Sequence, residues 1–311
     1  MNTPSDAIPE SLLESPGVAP AVLSSPRPLY WSMRRELWEN RSIYIAPLAA
    51  AGVGIMAFLI GLGFSHSMRR QGEDAADRRV MLVMPYAHAV WLLLATSLTV
   101  GFFYCLDALH GERRDRSILF WKSLPISDLI TVLAKASIPL VVLPLLVFAI
   151  AVTTHLIMLP VNAAALLASG AAATLRQLPL FQMELVLLYG LTALALWHAP
   201  LYGWLLLVSA WARRAAFLWA VLPLAALCAF ERIAFRTSYF SSLLEDRLYG
   251  FAEDAFALHG QTGVPVDPHL IPLSALTPGR FLSTPGLWIG LACAAIFVAA
   301  AARMRRCRDL T

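Results

Sequence analysis

Residues 43–64 read IYIAPLAAAGVGIMAFLIGLGF, an unbroken run without one charged side chain. A bilayer hydrocarbon core about 30 Å thick is crossed by roughly 20 apolar residues of helix, which satisfies its own backbone hydrogen bonds. The run therefore predicts a transmembrane helix. Five further runs repeat the reading: residues 81–106, 129–159 with Pro139 and Pro144 inside, 184–211 with Pro200 inside, the shorter 215–230, and 287–302. Their apolar character is continuous and shows no alternation of period two, so the strands of a membrane barrel are excluded. Segment 163–175 is apolar but too short to span. It reads as an interfacial or outward-facing helix, with a seventh, tilted span as the alternative.

Composition agrees with this reading. Of 311 residues, 59% are apolar and only 14% charged, with a mean hydropathy of +0.66. Soluble domains carry about a quarter charged residues, so a soluble enzyme is excluded, and for most of the chain so is disorder. The net charge of +4 is too small to suggest nucleic-acid binding, and no nucleic acid is expected as a partner. Cys105, Cys228, Cys293 and Cys307 form no CxxC pair, which points to neither a disulfide framework nor a zinc site.

With six spans, both termini lie on one side, and Arg and Lys gather in cytoplasmic loops. An N-terminus inside places 14 of these residues inside and 9 outside, Lys135 falling within the third span. The first outer loop counts against this orientation through Arg69, Arg70, Arg78 and Arg79. The basic caps at Arg213, Arg214, Arg303, Arg305, Arg306 and Arg308 outweigh it. The expected layout is an all-α membrane protein of a bacterial-type inner (cytoplasmic) membrane, multi-pass, with both termini cytoplasmic. A disordered tail covers 1–28, an amphipathic in-plane helix 29–42, a six-span domain 43–302 and a basic cytoplasmic tail 303–311.

Within the domain, the loop 107–127 is the most informative stretch. It packs seven charges of both signs into residues 107–122 and then returns an apolar face at Ile118, Leu119, Phe120, Trp121 and Leu124. Seven charges call for water, so substitutions among them are expected to cost little stability. Ser127 or Asp128 is a suitable N-cap for the third span. A mixed-charge amphipathic element with an aromatic patch suits the docking of a soluble partner, and interface energy concentrates on aromatics and Arg. An ordinary charged loop anchored by an interfacial Trp has the same pattern.

Asp107, Glu112, Arg113, Ser117, Leu119, Ser123, Leu124, Pro125 and Lys135 together resemble a motif in the permease subunits of ABC exporters of the second exporter class. These are related in fold to the half-transporters of the G subfamily and to polysaccharide exporters. The resemblance implies a coupling helix between spans two and three, seated in a groove of a separate cytoplasmic ATPase present in two copies. It also implies a dimer of permeases, most simply two copies of this chain, with ATP and Mg held by the ATPase. Tilting of spans one, two and five would then open a path. The ATPase-docking residues it designates are Asp107, Glu112, Arg113, Arg116, Phe120, Trp121, Leu124 and Pro125.

Residues 29–42, LYWSMRRELWENRS, match the family's connecting helix before span one. Tyr30, Met33, Leu37 and Trp38 recur near helical spacing, while Arg34, Arg35, Glu36, Glu39 and Arg41 take the other sides. Trp31, Arg34, Arg35 and Trp38 are the expected membrane-interface residues. In the family, short helices within the outer segment, here 231–285, dip back toward the bilayer. A plain juxtamembrane anchor and a plain outer loop fit the same two stretches.

Ionisable residues inside spans are functional candidates by default. His88, His155, Glu184 and His198 qualify, and Lys135 is expected to snorkel toward Asp107 or the headgroups. No HExxH, GxSxG or GxxxxGK[ST] motif occurs. The chain is expected to be no enzyme, with no catalytic, metal or cofactor site of its own. A non-transporting membrane anchor or assembly protein and a membrane-embedded enzyme acting on lipid remain the rival classes. Cysteine labelling at Ser5, Ser123 and Thr262 in a cysteine-free background checks the orientation. Positions 5 and 123 are expected to label only after permeabilisation and position 262 in intact cells; labelling of 123 from outside contradicts it.

Overall fold

Each apolar run folds as a helix, and most overshoot the run that specifies them. The computed structural model describes residues 26–68, 75–114, 127–168, 178–256 and 273–307. Helix α1 (Pro26–Glu39) opens with two prolines in its first turn, where a missing N–H costs nothing. After Asn40 and Arg41 come α2 (Ser42–Met68), α3 (Ala75–Asp107) and the short α4 (His110–Arg114). Helix α5 (Asp128–Ala168) begins at the expected cap, with Ser127 Oγ accepting from the Ile130 N–H at 3.3 Å. It passes through one π turn at Ile138–Val142, where Pro139 removes a donor from the helical ladder.

Next are α6 (Leu180–Trp211) and α7 (Ala216–Ala234), joined by a tight turn with Ala215 in the left-handed region at φ 50°. Helices α8 (Tyr239–Tyr249), α9 (Phe251–Ala255) and α10 (Pro278–Ser283) lead to α11 (Pro285–Cys307). Among the described residues six helices are long and apolar enough to cross a membrane: α2, α3 with α4, α5, α6, α7 and α11. Among the described residues every regular element is helical, apart from the isolated bridge Phe256–Leu276.

Several boundaries differ from expectation. Helix α1 starts at Pro26, inside the segment 1–28 expected as a disordered tail, and ends at Glu39, short of the expected 42. Segment 163–175 is not a separate helix at its start, because α5 continues past Pro160 through Ala168. Its Asn-Ala-Ala-Ala-Leu-Leu-Ala sequence is rich in strong helix formers, which carries the helix on; residues 169–177 lie outside the described set. The basic segment 303–311 is likewise helical as far as Cys307.

Helix α6 is the axis of the bundle and packs along α11, α3, α5 and α7. Gly203 sets its closest approach to α11: a Cβ there would stand 3.2 Å from the Ala294 carbonyl oxygen and 3.3 Å from its Cα. Between membrane helices, such close backbone approach by small residues supplies the packing that hydrophobicity cannot.

The segment following α7 folds back beside α6. Glu231 accepts the backbone N–H groups of Tyr239 and Phe240 and the Thr237 hydroxyl, which starts α8. Arg247 then lies 4.5 Å from the Trp197 ring centroid and donates to the Gly286 carbonyl at 2.8 Å. Burial holds its pKa below the ordinary arginine value.

Gly203→Val should push α6 and α11 apart, at a cost of about 1–3 kcal/mol for overpacking. Gly61→Ala, where no side chain and no other element lies within 4 Å of the added carbon, should cost no stability and can gain a few tenths of a kcal/mol up to about 1 from helix propensity. Thermal unfolding of the two variants in detergent checks the contrast.

Candidate functional site: a buried ion cluster at one end of the bundle

The starts of α2 and α5 and the ends of α3, α6 and α11 meet at one end of the bundle, and charged side chains gather there. Lys135, about two turns into α5, is 2% exposed. An ammonium so placed is costly unless carboxylates reach it. Its Nζ donates to Glu36 Oε1 of α1 at 2.8 Å and lies 3.1 Å from Glu112 Oε1 of α4.

Two buried carboxylates around one ammonium leave excess negative charge, which two arginines meet. Arg35 Nη2 reaches Glu112 Oε1 at 3.0 Å and Glu36 Oε1 at 3.1 Å, and its Nε lies 3.2 Å from Glu39 Oε1. Arg305 of α11 places Nη1 3.1 Å from Glu112 Oε2 and Nε 3.1 Å from Asp128 Oδ1. Tyr104 of α3 donates its hydroxyl to Glu36 Oε2 at 2.9 Å. The charges alternate through the cluster, and the rim residues Glu39 and Asp128 are partly exposed. Partial burial raises the Glu39 pKa above its ordinary value, against the lowering pull of Arg35.

Next to Glu112 the chain is clamped a second way. Arg113 donates to the carbonyls of Ser209, Ala212 and Leu109, two of them at the C-terminus of α6, where helical carbonyls lack partners. Ser209 Oγ in turn accepts the backbone N–H groups of Leu109 and His110, each at 3.0 Å. The first residues of the 107–127 loop are thus fastened to α1, α5, α6 and α11 at once.

This corrects two expectations. Lys135 does not snorkel to Asp107 or the headgroups; it is buried against acids brought by α1 and α4. Glu112 is 8% exposed, so this end of the loop does not simply face water and its charges are not freely replaceable. On α1, Ser32 and Glu36 are buried, while Trp31, Arg34 and Trp38 of the expected interface set are exposed and Arg35 is drawn into the cluster. In each case a partner distant in sequence outweighs the local pattern.

Of the remaining sequence-designated residues, Asp107 is exposed. Arg116, Phe120, Trp121, Leu124 and Pro125 lie outside the described residues. Tyr104 and Ser209 were not singled out from sequence, and Glu36, Asp128 and Arg305 were noted there only as a polar-side residue, a candidate cap and part of a basic tail. For Glu36 a signal existed: with Ser32 it forms an i, i+4 polar pair on a helix whose other side carries indoles.

A second polar cluster lies between α3, α5 and α6. His155 Nδ1 is 2.5 Å from Glu184 Oε1, so these two intramembrane candidates meet in a hydrogen bond. The Tyr86 ring stands edge-on to the imidazole at 5.3 Å, and its hydroxyl accepts from Asn162 at 3.4 Å. The other two histidines do not join them. His198 is bound to the Leu194 carbonyl of its own helix and packs against Phe251, and His88 is exposed. Among the described residues no group of His, Cys, Asp or Glu has the arrangement of a metal site.

The chain matches no protein-family model, no curated protein and no solved structure.

Lys135→Met should leave Glu36 and Glu112 short of their shared cation and cost about 3–5 kcal/mol, as for any buried pair broken on one side. Adding Glu36→Gln removes one surplus negative charge and should recover part of the loss. Thermal unfolding of the single and double variants in detergent checks this; an unchanged melting temperature in Lys135→Met contradicts it.

Proposed function

We propose that the chain is the transmembrane permease subunit of an ATP-driven ABC exporter. It works as a dimer, most simply of two copies, with two copies of a separate ATPase that carries ATP and Mg. The observation that supports this best is the anchorage of Glu112 and Arg113. A connector that only joined two spans would need no buried ionic tie at its base. Here a force on the 107–127 loop is delivered to α1, α5, α6 and α11 together, which is what a coupling element requires.

In this reading the apolar and aromatic residues beyond the anchorage, Phe120, Trp121, Leu124 and Pro125, sit in a groove of the ATPase, with Arg116 beside them. Closure of the ATPase dimer on ATP moves the loop, the ion cluster transmits the movement, and spans one, two and five tilt to open a path between the two permeases. Helix α1 lies in the membrane plane as the connecting helix. The membrane is a bacterial-type inner membrane with both termini on the cytoplasmic side, the side of the ion cluster.

Affinity purification of the tagged full chain from its native membranes tests the reading. A Walker-motif polypeptide should accompany the chain and hydrolyse MgATP in lipid nanodiscs. Phe120→Ala and Trp121→Ala should each weaken its retention by about tenfold or more, as for aromatic anchors at the centre of an interface, while the chain's thermal unfolding stays the same. Arg116→Ala should act in the same direction and less. A chain that purifies without an ATPase, or aromatic variants that keep full retention and turnover, would contradict the proposal and favour a non-transporting anchor.

A further inference from the structure

The face of α1 turned away from the ion cluster carries Trp31, Arg34 and Trp38, at positions i, i+3 and i+7. The two indoles are 57% and 73% exposed. The Arg34 guanidinium carbon lies 5.4 Å from the Trp31 ring centroid and 5.8 Å from that of Trp38, and Tyr30 stands edge-on to Trp31 at 5.6 Å. One cation is thus held between two rings on an outward surface.

Its neighbours set this cation apart. The charge of Arg35 is committed to Glu36, Glu39 and Glu112, so Glu39, the nearby acid on the rim, is already held. Among the described residues no acid pairs with Arg34. Arg41, also exposed, extends the basic character toward the start of α2. The position of the face along the bundle is fixed as well, since only Asn40 and Arg41 separate α1 from the first spanning helix and Glu36 is pinned to Lys135. That places the indoles at the level where a span enters the bilayer, the depth that Trp side chains prefer.

The chemistry that fits is a phosphodiester at headgroup depth. A guanidinium offers a planar fork of N–H donors to two phosphate oxygens, and the indoles lie along the boundary between headgroup and acyl chain. A zwitterionic headgroup brings its own ammonium beside the phosphate, which a cation lacking an acid partner disfavours. We infer that the Trp31–Arg34–Trp38 face is a docking surface for the headgroups of acidic phospholipids. It would serve a permease and a non-transporting anchor alike, so its failure would leave the transport reading standing.

The purified full chain in detergent is titrated with phosphatidylglycerol or with phosphatidylcholine of the same acyl chains, and bound lipid is counted by native mass spectrometry. The wild type should retain phosphatidylglycerol in preference by about fivefold, the ratio given by one Arg near an anionic surface. Arg34→Gln should bring the ratio close to unity with an unchanged melting temperature, because Arg34 takes no part in the ion cluster. Arg41→Gln, with no flanking rings, should keep most of the preference. Equal retention of the two lipids by the wild type overturns the inference even if a variant fails to fold. An undiminished preference in Arg34→Gln overturns it too and assigns the lipid to another basic surface.

Discussion

An ammonium buried within a membrane span cannot stand alone, and that constraint at Lys135 organises one whole end of this molecule. Two carboxylates come to it from elements that the chain order does not place nearby, Glu36 on α1 and Glu112 on α4. Their surplus negative charge draws in Arg35 and, from the far end of the sequence, Arg305. The ion-pair network is complete only when α1, α4, α5 and α11 are all in place. Hydrophobic packing between membrane helices is nearly indifferent to small shifts and rotations, since lipid is as apolar as the neighbouring helix. Opposite charges in contact are not, so the cluster fixes the register of four elements.

The neighbouring contacts extend that register to the base of the loop between spans two and three. Arg113 occupies the open carbonyls at the end of α6, and Ser209 of α6 holds the backbone where α3 gives way to α4. The axis of the bundle is therefore joined to the same assembly. The π turn at Ile138–Val142 follows directly on the helical segment that carries Lys135, so the charged stretch of α5 is set off from the apolar remainder by a local change of helical pitch. The His155–Glu184 pair lies toward the other end of the bundle, between α3, α5 and α6. It stitches the same helices together away from the ion cluster.

The six spans were legible because they rest on a one-dimensional property, the length of an apolar run against the thickness of a bilayer. The cap at Ser127 was legible for a similar reason, since its partner is three residues away. The ion cluster was not, because Lys135 and Glu36 are 99 residues apart and charge alone says nothing of pairing. On α1 the charged residues read alike, and the ammonium waiting on α5 separates them: Glu36 turns inward, while Arg34 stays outside with the indoles. Arg305 read as one of several basic residues in a cytoplasmic cap, and only the course of α11 beside α5 gives it a carboxylate on each side. His155 and Glu184 were singled out separately, and the structure supplies what spacing could not, their contact.

The central claim is that the ion cluster binds the base of the 107–127 loop to the spans as one mechanical unit. A double-mutant cycle on Glu112→Gln and Arg305→Gln, read by unfolding in lipid nanodiscs, tests it most directly. These residues lie far apart in the chain and touch only within the cluster. If the cluster holds, the two substitutions should couple by about 1–3 kcal/mol, the range for residues in one buried ionic network. Effects that simply add, to within about 0.5 kcal/mol, would contradict the claim and leave the loop without its tie to α11.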